Sequence, residues 1–190
     1  MNNSPANDPM ALIAALKGKK RPPVHLWNPP FCGDIDMRIA RDGTWYYLGS
    51  PIGRQPMVQL FAGVLRREEG KYFLVTPVEK IGIQVDDAPF VAVEMVAAGT
   101  GREQSLSFRT NVDDAVAADA EHPIRVDINP VTGEPSPYLM VRDGLEALIA
   151  RSVFYDLVAL AVEEQRDGAV RLGVWSSGVF FPIDGTERQN

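Results

Sequence analysis

The sequence is poor in the side chains that most enzymes and metalloproteins depend on: among 190 residues it has one cysteine, Cys32, and two histidines, His25 and His122. A single cysteine closes no intramolecular disulfide, which suits a reducing compartment. Lying between Phe31 and Gly33, Cys32 reads as a small packing residue rather than a thiol nucleophile. The histidines share no His-Glu-x-x-His or comparable spacing, which argues against zinc, and neither stands in a nucleophile-like context.

Positive charge is also in short supply. With 19 Lys and Arg against 25 Asp and Glu, the net charge is -6, so bulk binding of DNA or RNA is disfavoured. A local basic pocket stays compatible with that balance. No apolar stretch approaches the roughly 20 residues needed to span a bilayer, so no membrane association is expected. The short apolar run from Met10 to Leu16 precedes its basic residues Lys17, Lys19, Lys20 and Arg21, the reverse of a secretory signal. The cytoplasm is therefore the expected location.

Phosphate-binding and nucleophile motifs are missing too. There is no Walker-type loop, and Gly99-x-Gly101 lacks the third glycine of a dinucleotide fingerprint and reads as a hairpin turn. Ser176-Ser177-Gly178 lacks the glycine that a nucleophile elbow places two residues before its serine. With no recognisable catalytic motif and no cofactor signature, the expectation is a non-enzymatic protein. An enzyme using Glu79 or Asp36 as an acid/base is the outlying alternative.

What is present is a patterned α+β chain. Asp8-Pro9 starts a short helix that stops at Gly18, and Lys19 to Pro23 reads as a linker. Alternation around Met37 and Ile39 runs to Asp42-Gly43, a hairpin signal, and Thr44 to Leu48 is β-branched and aromatic. After a turn at Gly49-Ser50-Pro51, Pro56 opens a helix with Met57, Leu60, Phe61, Val64 and Leu65 at helical spacing, closed by Arg66 and Arg67. Strands are expected at Lys71 to Thr76 and Ile81 to Val85, and a hairpin pairs Phe90 to Ala97 with Glu103 to Thr110. In the second of these, Leu106, Phe108, Thr110 and Val112 share one face. Asp113 to Glu121 reads as a surface excursion or a weak helical turn.

Ile124 to Ile128 and Tyr138 to Arg142 form a further pair. Asp143 with Glu146 is a capping box that predicts a long helix to about Glu164, apolar over most of its circumference. Asp156 then falls on the apolar face and needs an arginine such as Arg142 or Arg38. Strands at Val170 to Trp175 and Val179 to Ile183 finish the chain.

The expected fold is α+β with two structurally related halves, each running strand, turn, strand, helix, strand. Laying Arg54 to Phe61 on Arg151 to Val158 matches Arg with Arg and Leu60 with Leu157. The expected divisions are an N-terminal helix and linker at 1–22, an α+β domain at 23–86 and a second at 87–190. Polar residues gather at strand ends and helix starts: Arg38, Arg54, Glu79, Lys80, Arg109, Asn111, Arg142, Arg151, Ser176 and Ser177. Arginine forks and small polar groups are what a phosphate or carboxylate site requires, and Trp27, Trp45 and Trp175 offer stacking faces.

Pro23 to Pro29, Gly33 to Ile39, Asp42 to Trp45, Gly49 to Ile52, Leu74 to Lys80, Ala88 to Phe90, Phe108 to Asn111, Tyr138, Val141 to Gly144 and Trp175 to Gly178 together resemble the bacterial family known as domain of unknown function 1285. The resemblance implies an internal duplication, a C-terminal half superficially like pleckstrin-homology folds, and a nucleotide-like ligand held between the halves in a signalling role. The leading expectation is thus a binder of a small anionic or nucleotide-like ligand. The alternative is a protein-interaction adaptor with a protein partner and no small ligand. Nothing in the sequence demands an oligomer.

Overall fold

In the computed structural model, residues 21–185 are described, and the chain divides into two units, Met1–Pro89 and Phe90–Asn190. The helix expected from Asp8 to Lys17 lies outside the described residues.

The N-terminal unit is a six-stranded sheet with one helix. Its strands are β1 (Phe31–Ile39), β2 (Trp45–Tyr47), β3 (Ser50–Pro51), β4 (Leu65–Glu68), β5 (Lys71–Val75) and β6 (Lys80–Val85). They lie in the order β3-β2-β1-β6-β5-β4, with β1 and β6 parallel and every other pair antiparallel. Helix α1 (Gln55–Gly63) joins the two edge strands and buries Val58, Phe61 and Ala62. Trp45, Met37, Ile39, Leu74 and Val75 complete this core.

The helix is shorter than its apolar spacing predicts. Arg66 and Arg67 do not close it; they lie on β4. The two-residue turn Glu69-Gly70, with both φ values positive, has the twist that a β hairpin requires. It sets Leu65 opposite Leu74, and that pairing overrides helical propensity in the segment. Ser50 and Pro51, expected in a turn, form the short edge strand after the turn Leu48-Gly49.

The C-terminal unit holds the same sheet plan. Its strands β7 (Phe90–Ala98), β8 (Ser105–Thr110), β9 (Ala115–Ala117), β10 (Ile124–Ile128), β11 (Pro135–Arg142) and β12 (Leu145–Ile149) lie in the order β10-β11-β12-β7-β8-β9, with β7 and β12 parallel. Read by position in the unit, this is the order of the first sheet. The related halves expected from the sequence are present. Strand β8 buries Leu106, Phe108 and Thr110 and exposes Ser107 and Arg109, as alternation predicts. Residues 113–121, expected as an excursion, include edge strand β9.

Each sheet is curled. In the second, β9 and β10 are opposite edges, which a flat sheet would hold roughly 24 Å apart. Yet Ala118 still bonds to Leu106, Met140 already bonds to Pro123, and a turn from Asp119 to His122 makes the whole connection. The edges must therefore approach each other.

After this sheet come helix α2 (Arg151–Ala159) and a three-stranded antiparallel sheet of β13 (Val162–Arg166), β14 (Ala169–Ser176) and β15 (Val179–Pro182). The long helix expected from Asp143 to Glu164 is thus corrected to a strand, a nine-residue helix and another strand. Asp143-Gly144 is a hairpin turn with positive φ at both residues, and Glu146 pairs with Arg125 instead of capping a helix. Asp156 is exposed, so it has no buried charge for Arg142 or Arg38 to neutralise.

The helices occupy different places in the repeat: α1 links the third and fourth strands of its sheet, whereas α2 follows the sixth strand. Their structural register also differs by one residue from the sequence match. Gln55 aligns with Arg151, and buried Val58 and Phe61 align with buried Phe154 and Leu157. Arg54 and Arg151 are not equivalent.

Candidate functional site

Within the N-terminal unit the expected site residues are dispersed. Arg38 lies 4.8 Å from the Tyr46 ring centre and pairs with Asp86. Lys80 donates to Glu68 at 2.8 Å and lies 5.1 Å from the Phe73 ring centre, while Glu68 also pairs with Arg66. Glu79 sits in a turn whose Thr76 hydroxyl accepts the Glu79 N–H at 3.1 Å. Arg54 precedes α1, exposed and without a carboxylate partner among the described residues. In the β1–β6 ladder Arg38 faces Gln84 and Lys80 faces Phe31, so these two cations stand about 13 Å apart along the strand. They do not form one site.

In the C-terminal unit, Arg109, Asn111 and Arg142 come to the same end of the sheet, where β8 ends and β7 begins. Arg109 donates to Glu94 at 2.7 Å and to Asp113 at 3.1 Å, and those hydrogen bonds raise its pKa. Arg142 pairs with Asp114 and lies 4.8 Å from the Phe90 ring centre. The Asn111 side chain accepts the Val91 N–H at 2.9 Å. Two arginines here meet three carboxylates, so the cluster is net negative and already satisfied.

Other expected residues serve the fold. Arg151 donates to the Tyr155 hydroxyl at 2.8 Å. The buried Ser176 hydroxyl accepts the Leu106 N–H at 2.9 Å and donates to the Ala118 carbonyl at 2.6 Å, tying β14 to the curled sheet. Ser177 turns the chain with φ of 50°. Trp45 stacks on Phe61 inside the core, and the Trp27 carbonyl accepts from Arg66 at 2.6 Å. Cys32, expected to pack, is exposed on β1, where its thiol faces the Pro30 carbonyl. Among the described residues no group of three or more His, Cys, Asp or Glu could hold a metal ion.

The remaining tryptophan anchors a cluster that the sequence reading only half identified. Strand pairing sets Val162 beside Gly173, so Glu164 and Arg166 share the face of β14 that carries Trp175. On β15, Phe180 faces Trp175, their rings 5.4 Å apart and tilted by 60°. The indole N–H donates to Glu164 at 3.1 Å, and Arg102 donates to both Glu164 oxygens at 3.3 and 3.1 Å. The Arg102 guanidinium lies 4.9 Å from the Trp175 ring centre. The Arg166 guanidinium lies 5.3 Å from Trp175 and 5.1 Å from Phe180.

Trp175 is only 9% exposed, with Arg102, Arg166 and Phe180 packed around its ring. Two arginines meet one carboxylate, leaving an excess positive charge over an aromatic surface. Arg102 is tethered by Glu164, whereas Arg166 has no carboxylate partner among the described residues. Indole and guanidinium planes together can stack a flat ring and bind an anionic substituent. Val162-Glu-Glu-Gln-Arg166 carries no apolar/polar alternation that marks it as a strand, and the expected helix reached into it at about Glu164.

Comparison with known proteins gives family but no activity. The model of the N-terminal domain of DUF1285, a domain of unknown function, matches residues 22–88, and that of its C-terminal domain matches residues 89–183. A crystal structure of a DUF1285 family protein from Silicibacter pomeroyi DSS-3 is 58% identical, covering 94% of this chain and 95% of that one, with a TM-score of 0.86. Another, from Shewanella baltica OS155, is 28% identical over 65% of this chain and 90% of that one, with a TM-score of 0.51. No curated protein matches.

Proposed function

The chain belongs to the DUF1285 family, and on that footing we propose that it is a non-enzymatic binding protein for a small anionic, nucleotide-like ligand, acting in signal transduction in the cytoplasm. The observation that carries this reading is the net positive aromatic face formed by Trp175, Phe180, Arg102 and Arg166. A flat ring would stack on the indole, and the guanidinium groups would meet its charged substituent. The sequence expectation set the ligand between the halves, through Arg38, Arg54, Arg109, Arg142 and Arg151. Of these, Arg38, Arg109 and Arg142 are engaged by carboxylates, as Arg102 is by Glu164. What favours the Trp175 face is Arg166, which lies against two aromatic rings with no carboxylate partner among the described residues.

The test is a thermal-shift panel of nucleotides, cyclic dinucleotides and phosphorylated metabolites. A ligand at 100 times its dissociation constant stabilises the fold by about 2.7 kcal/mol. A stabilising compound whose effect disappears in Arg102→Ala and Trp175→Phe, and persists in Arg109→Ala, is the expected result. A flat panel sinks the reading.

A second reading, the protein-interaction adaptor, is favoured by apolar side chains left in solvent on the C-terminal unit: Tyr155, Val158, Val162, Val170 and Leu172. The pleckstrin-homology likeness implied by the family resemblance belongs to this reading. It predicts that charged substitutions at Val170 and Leu172 abolish capture of a reproducible partner without lowering stability.

A further inference from the structure

Resting on the proposed ligand site at Trp175, we infer that Arg166 is an exchangeable cover that makes the site select phosphorylated over unphosphorylated ligands. The two guanidinium groups at the indole are held differently. Arg102 is fixed by both oxygens of Glu164, which also accepts the indole N–H. Arg166 is held by cation–π contacts alone among the described residues, at 5.3 Å from Trp175 and 5.1 Å from Phe180.

Its position favours movement. Arg166 is exposed and is the last residue of β13, directly before the Asp167-Gly168 turn. A cation–π contact in water is weak, so a flat ring can displace the guanidinium from the indole at small cost. The displaced guanidinium stays within side-chain reach of whatever replaced it. A phosphate on the incoming ring restores a charge-assisted hydrogen bond to Arg166. A ring without a phosphate displaces the cation and returns nothing. Arg166 thus acts against the uncharged ligand and for the charged one.

Adenosine and adenosine 5′-monophosphate, titrated by tryptophan fluorescence into the full chain, separate the possibilities, with Trp175→Phe fixing which tryptophan reports. Arg166→Ala is expected to tighten adenosine binding about two- to fivefold and to weaken monophosphate binding about tenfold. Arg166→Lys, which keeps the charge, is expected to retain most of the monophosphate affinity. If the wild type binds the monophosphate and Arg166→Ala changes neither affinity, the cover is overturned and the ligand site stands. If neither compound gives a Trp175-dependent signal in the wild type or in Arg166→Ala, both the site as a nucleotide site and the cover on it fail.

Discussion

Individual polar side chains in this protein do two kinds of work, and the local geometry decides which. Ser176 is structural: its hydroxyl is buried and makes one accepted and one donated hydrogen bond to backbone. Ser176→Ala leaves the Leu106 N–H and the Ala118 carbonyl without partners, so it is expected to cost about 1–3 kcal/mol in urea unfolding. Asp184 shows how pH enters. Arg171 donates to it at 2.8, 3.0 and 3.1 Å, and these hydrogen bonds, with help from the Leu172 N–H and against a smaller push from burial, hold its carboxyl below the usual range. A carboxyl lowered on folding adds stability that is complete above its unfolded value of about 3.9 and is lost as pH falls through the folded value. Asp184→Asn is therefore expected to be less stable than wild type by about 0.5–1 kcal/mol at pH 7. That gap should close as denaturation is repeated below pH 4.

At the scale of elements, turn chemistry competes with helix signals, and the turns prevail. The segment after Arg142 carries both a capping box, Asp143-x-x-Glu146, and a hairpin turn, Asp143-Gly144. The two assign opposite consequences to one substitution. In a helix, Gly144→Ala would stabilise by roughly 1 kcal/mol. At the observed φ of 76° the added methyl strains the backbone, so the variant should lose about 1 kcal/mol or more. A thermal melt of Gly144→Ala reads the sign directly. Packing within the helices is less ambiguous. Phe61 is fully buried beside Trp45, so Phe61→Ala is expected to cost about 3–5 kcal/mol in the N-terminal unit.

For the whole molecule, two curled six-stranded sheets with one strand order carry the architecture, and the helices and the extra three-stranded sheet are placed around it differently. None of the described helices is long and apolar enough to cross a membrane. The net charge of -6 works against the phosphate backbone of nucleic acids. The chain is accordingly expected to pass through heparin and to leave duplex DNA unshifted at about 0.15 M salt, where the Debye length is roughly 8 Å. Retention on either matrix would show a basic surface that the acidic balance does not lead one to expect.

Composition, alternation and two-residue turns are local properties, and the sequence alone settled what depends on them. The strands at Lys71–Val75, Phe90–Ala98 and Ser105–Thr110 and the inward face of Leu106 and Phe108 were legible there. The related halves were expected too, but on a match of two helices that hold different places in the fold. Strand β12, the short α2, the edge strands β3, β4 and β9, and strand β13 were not, although the edge strand β10 was. Leu145 to Ile149 has apolar residues that fit a helical face or a buried strand equally well, and only pairing with β7 and β11 distinguishes them. The fate of the arginines was likewise decided by tertiary structure. Whether a guanidinium is available depends on which carboxylate the fold brings beside it, and those partners lie up to dozens of residues away, as Asp86 does for Arg38 and Asp114 for Arg142. The same holds for Trp175. Its indole became a candidate surface only when strand register set Glu164, Arg166 and Phe180 on one face and the β7–β8 connection laid Arg102 across it.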